Sequence, residues 1–81
     1  MKNEIRSMLR LGTRLDLSGA LEYMRAHGSS VLLNWGEDTT LWECSWITGG
    51  DRYTGWTNHH PLGSVLICLE HVLDGMSDNE G

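Results

Sequence analysis

The sequence predicts an α+β domain: a small antiparallel three-stranded meander packed by an N-terminal helix and a C-terminal helix, in the order α-β-β-β-α, with an extra short helix at the N-terminus. Three observations carry that expectation. Apolar residues recur at helical spacing near both ends of the chain. Between them they alternate at strand spacing. Two short polar turns, GEDTT and GGD, divide the alternating stretch.

Residues 2–11 suit a short helix, with Ile5, Met8 and Leu9 as an apolar strip and Lys2, Arg6 and Arg10 one turn apart beside it. Gly12 should end it, and so short a helix frays unless it docks. A second helix is expected over 17–27. Asp16 or Ser18 can cap it, Leu17, Ala20, Leu21 and Met24 form one face, and Gly28 is read as a left-handed stop. SVLLNW, residues 30–35, reads as a strand with Val31, Leu33 and Trp35 on one side and Leu32 and Asn34 on the other. LWECSWIT, residues 41–48, is the second strand, with Trp42, Cys44 and Trp46 sharing a face. RYTGWT, residues 52–57, is the third, weakened by Gly55. Pro61 opens the last helix, where its missing N–H costs nothing. Leu62, Val65, Leu66, Leu69, Leu73 and Met76 form its apolar face.

The 81 residues are expected to form one domain over 1–76, followed by a disordered acidic tail, 77–81. For a chain of 9.1 kDa, the folded surface should be about 4,900 Å², against about 13,000 Å² unfolded. That length excludes large catalytic scaffolds. No apolar run reaches transmembrane length, and residues 1–12 carry too many charges for a secretory segment. Two cysteines make no disulfide framework and there is no Asn-x-Ser/Thr acceptor, which together read as a reducing, cytoplasmic setting.

The net charge of −5 is unevenly spread. Residues 1–25 hold five basic and three acidic groups, or +2. Residues 26–81 hold Arg52 alone against eight acidic groups, or −7. An acidic body repels a phosphate backbone and argues against direct nucleic-acid binding. It attracts a basic protein, or the basic groove of a protein–nucleic-acid complex.

Four Trp and no Phe raise one question: core or contact surface. If the helices sandwich the sheet, the tryptophans fill the core. If both helices lie on one side, Trp42 and Trp46 are expected on the open face. The residues flanking the turns and the outer strand, Glu43, Trp46, Asp51, Arg52, Tyr53 and Trp56, are the expected partner-binding set. Ile67 and His71, one helical turn apart and off the apolar stripe, suggest a self-association patch and hence a homodimer.

Catalytic motifs are missing. Neither cysteine nor Ser45 sits in a nucleophile elbow, GEDTT lacks the lysine of a phosphate loop, and no enzyme activity or cofactor is expected. Cys44, His59, His60, Cys68 and His71 could converge on a metal, but without a Cys-x-x-Cys or His-x-x-x-His pair none is expected. Arg6, Arg10 and Arg14 offer an alternative, a nucleic-acid-associated regulator working through its N-terminal segment.

The segments Leu17 to Met24, Val31 to Trp35, Leu41 to Ile47 and Pro61 to Leu73, taken with size and acidity, resemble small phage-encoded domains of the α-β-α sandwich type, anti-CRISPR proteins among them. The resemblance rests on element order and composition and brings no motif residues with it. It implies a non-enzymatic inhibitor, acting in the host cytoplasm, that binds and blocks a host defence protein or nuclease complex.

Overall fold

A computed structural model describes residues 1–58 and 60–77. The fold is α+β, with helices α1 (Lys2–Leu11) and α2 (Leu17–Ala26), strands β1 (Ser30–Gly36), β2 (Leu41–Thr48) and β3 (Asp51–Thr57), and helix α3 (Pro61–Ser77). A single turn of 3-10 helix, Gly12–Arg14, links α1 to α2. The sheet is an antiparallel meander in the order β1-β2-β3. The expected tail lies mostly outside the described residues, as does His59. The accessible surface of 5027 Å² is close to the value expected from chain length.

Each helix boundary has a local cause. Asp16 caps α2 by accepting the Gly19 amide at 3.2 Å. Pro61 starts α3, and the His60 carbonyl accepts the Gly63 amide at 3.0 Å. α1 docks rather than frays: Ile5 is fully buried and joins the common core. α3 continues through Gly75 to Ser77.

Both tight turns follow from backbone chemistry. Gly49 and Gly50 have φ of 62° and 84°, which makes the two-residue hairpin between β2 and β3. The four residues between β1 and β2 close with Thr40 at φ 53°, its amide bonded to the Gly36 carbonyl at 2.7 Å.

Gly28 has another purpose than the expected left-handed stop. Its φ is not positive, and His27 is the C-cap at φ −111°. A Cβ at Gly28 would collide with Trp46 Nε1 and the Ile47 carbonyl oxygen. The residue is needed for close approach to β2 and not for handedness. Gly55 is also a contact point: a Cβ there would strike the Ser64 carbonyl oxygen and the Cys68 amide of α3. Read from sequence as a weakness in β3, it is what allows α3 to lie directly on the strand.

The core lies between the helices and one face of the sheet. Ile5, Ala20, Met24, Trp46, Leu69 and Val72 fill it together with Cys44, Cys68 and Val65. On α3 the buried line runs through Leu62, Val65, Cys68, Leu69 and Val72, while Leu66 and Leu73 are only half-buried. The expected stripe was therefore turned slightly, because Gly55 draws Ser64 and Cys68 onto the sheet.

Candidate functional site

Strand register decides which residues share a surface. On the face carrying the helices, Val31, Leu33 and Trp35 of β1 lie beside Trp46, Cys44 and Trp42 of β2, which lie beside Tyr53, Gly55 and Thr57 of β3. On the opposite face the rows are Ser30–Ile47–Arg52, Leu32–Ser45–Thr54 and Asn34–Glu43–Trp56.

Both helices are tied to the first face. Trp46 Nε1 donates to the Met24 carbonyl oxygen at 2.7 Å, and Thr48 Oγ1 donates to the His27 carbonyl oxygen at 2.8 Å. These two bonds satisfy carbonyls that the end of α2 leaves without helical partners. α3 is seated by Gly55, by Cys68 Sγ to the Tyr53 carbonyl oxygen at 3.5 Å, and by His71 Nδ1, which donates to the Thr54 carbonyl oxygen at 2.6 Å. With both helices drawn to one side, the other sheet face stays open.

The open face is the candidate site. Leu32 is 54% exposed and Trp56 51% exposed. Ile47 and Leu41 are half-exposed on the same surface. Ser45 forms its floor, buried between Leu32 and Thr54, with its hydroxyl 3.4 Å from Glu43 Oε2. Glu43 stands directly opposite Trp56, and Arg52 opposite Ile47. The result is an aromatic–aliphatic surface with one acid and one base set into it. One exposed apolar side chain is ordinary, whereas several on an uncovered sheet face make that face a candidate contact surface.

The expected contact set divides accordingly. Glu43, Arg52 and Trp56 come together on the open face. Trp46 does not: it is fully buried, because its indole N–H serves the α2 carbonyl and its ring fills the core. Tyr53 points to the helix side, half-buried beside Gly75, and Asp51 is exposed at the turn. Those two instead border a hollow between the β2–β3 turn and the end of α3, with Val72 and Met76 opposite. The expectation that an open face would present Trp42 and Trp46 is reversed, since both belong to the helix side. Trp42 packs against Trp35 there, ring centroids 5.3 Å apart. Leu32 and Ile47 are the members that composition alone missed. Alternation placed Leu32 opposite Val31 and Leu33, but only register sets it on the same surface as Trp56.

Ile67 and His71 face β3. Ile67 lies half-buried beside Gly55, and His71 is held by Thr54. Cys44 and Cys68 are both fully buried free thiols. The hydrogen bond they share, and then burial, push the Cys44 thiol far above its ordinary value. Among the described residues no group of three or more His, Cys, Asp or Glu side chains is placed to hold a metal ion. Arg6, Arg10 and Arg14 are all exposed on α1 and the following turn. No helix among the described residues is long and apolar enough to cross a membrane.

Comparison with known protein families, with curated proteins and with solved structures finds no match to this chain.

Proposed function

We propose that this chain is a protein-binding module that docks a basic surface of a partner protein on its open sheet face, and that it acts by binding and not by catalysis. The observation that carries the reading is that Trp56 and Leu32, both exposed, stand on the same sheet face, one that neither helix covers. Trp is the side chain most enriched where interfaces concentrate their energy. The −7 charge of residues 26–81, with Glu43 inside the patch and Glu37 and Asp38 at the β1–β2 turn, favours a basic partner and suits steering over distance. Small size, acidity and element order support the narrower reading, a phage-encoded inhibitor that occupies the basic nucleic-acid groove of a host defence nuclease complex in the host cytoplasm.

The test uses a photo-crosslinking residue placed at position 54, on the open face, in one sample and at position 6 in another. A partner should be captured from position 54 and not from position 6. Capture from position 54 should be lost when Trp56→Ala is added, a change whose circular dichroism should match the parent. For a purified defence nuclease complex, the chain should displace bound nucleic acid, and Trp56→Ala should need at least about tenfold more protein, matching a loss of about 1.4 kcal/mol or more. Equal capture from both positions, or an unchanged Trp56→Ala, overturns the reading.

A further inference from the structure

The two edges of the sheet are treated differently. The two-residue turn at Gly49–Gly50 closes on a hydrogen-bonded Thr48–Asp51 pair, so the even-numbered residues of β2 bond β3 and the odd-numbered ones bond β1. Their partners in β1 are Ser30, Leu32, Asn34 and Gly36. Val31, Leu33 and Trp35 therefore turn their N–H and C=O groups outward from the sheet, and no bond to them occurs among the described residues. The outward residues of β3 are Arg52, Thr54 and Trp56. That edge is guarded: His71 occupies the Thr54 carbonyl, Asp51 and Arg52 are charged, and α3 lies against Gly55. β1 has no such guard. It holds no charged residue and no proline over its whole length, Ser30–Gly36, whereas β2 carries Glu43 and β3 carries Asp51 and Arg52.

We propose that the β1 edge pairs antiparallel with β1 of a second copy of this chain, joining two sheets into one continuous sheet. Strand chemistry selects the register. A two-fold axis at Leu33 sets Leu33 against Leu33 of the partner subunit and Val31 against Trp35 of the partner subunit, with the reciprocal pair beyond. All three pairs join outward-facing backbone groups, for about six new hydrogen bonds. On the helix side, Val31, Leu33 and Trp35 meet their own kind, an apolar seam that matches itself. On the open side, Leu32 faces Asn34 of the partner subunit. The seam's self-match favours a second copy, since one two-fold register pairs every outward backbone group and sets apolar side chains against apolar side chains. In a chain of net charge −5, β1 is also the edge strand that brings no charged side chain to that seam, whereas β3 would bring Asp51 and Arg52. The inference does not rest on the proposed function: it uses the edge of the sheet, shares Leu32 alone with the open-face patch, and leaves Trp56 and Glu43 free.

Sedimentation equilibrium and amide exchange over a concentration series test it. The chain should pass from monomer to dimer as concentration rises. The Val31, Leu33 and Trp35 amides should slow in step, while the outward amides of Arg52 and Trp56 in β3 should not. Leu32→Lys with Asn34→Lys sets two lysine pairs across the seam and should weaken the dimer about tenfold. Leu32→Lys with Asn34→Glu sets opposite charges across the same pairs and should restore it. Both positions are exposed, so both variants should retain the parent circular dichroism. A monomer at every concentration overturns the proposal. So does a dimer indifferent to the double lysine variant, one not restored by the charge-paired variant, or one broken by Trp56→Ala, which would place the contact on the open face.

Discussion

Trp46 shows how one side chain can link three levels of structure. Its ring fills the core, its edge packs on Tyr23 at a centroid distance of 6.5 Å, and its N–H closes the end of α2 at the Met24 carbonyl. Trp46→Phe keeps most of the apolar volume and removes the donor, leaving a carbonyl without its bond. The expected cost is about 1–3 kcal/mol, read as a lower urea midpoint at unchanged slope. Gly55 works by having no side chain. Gly55→Ala places a methyl group against backbone atoms of α3, which have no rotamer by which to retreat. A loss of about 1–3 kcal/mol is expected in the same measurement, with the Cys68 and His71 contacts to β3 loosened. If alanine is tolerated at position 55 with unchanged midpoint, the close approach of α3 is not as described.

Among the elements, α1 is the one whose place depends on a single anchor. Ile5 is its one fully buried side chain, and Met8 and Leu9 only flank the core. Ile5→Ala removes that anchor at an expected cost of about 2–5 kcal/mol. Local opening should precede global unfolding. Amide exchange in residues 2–11 should therefore accelerate more than exchange in β2. Equal acceleration in both would mean that α1 and the sheet unfold as one unit. β2, in contrast, is central to the sheet and bonds a neighbour on each side. Its alternation was plain in the sequence, with Trp42, Cys44 and Trp46 on one side. Which side the helices would take was not, because both sides of β2 carry apolar residues and alternation is blind to the direction of the core.

Over the molecule as a whole, the packed layer holds two thiols that nothing outside can reach. Cys44 has its titration pushed upward by the thiol it bonds and by burial. In the unfolded chain it ionises near about 8.5. A raised folded value keeps the stabilising contribution complete below that pH. As pH climbs above it, the unfolded state loses the proton that the folded state keeps, and stability falls. Urea midpoints should therefore drop through the alkaline range. Cys44→Ala should flatten that part of the curve, even at a lower starting stability. Thiol reagents should label neither cysteine until the chain unfolds, given that both are fully buried. Rapid labelling under native conditions would contradict the closed core.

By itself the sequence determined the elements. Helical spacing, alternation, the Asp16 cap, the Gly49–Gly50 turn and Pro61 are local signals, each written within a few neighbouring residues. Part of the candidate site was legible on the same terms, since Glu43, Arg52 and Trp56 were expected as contacts from their places beside the turns. Tertiary structure alone decided which face stayed open. The donors Trp46 and Thr48, and the gap at Gly55, act on residues distant in sequence, and together they draw both helices to one side. That choice buried Trp46, left Leu32 and Ile47 on the same open face as Trp56 and left the β1 edge without a neighbour. Periodicity can say that a strand has two sides. Which of them meets solvent depends on where the rest of the chain finds its hydrogen bonds.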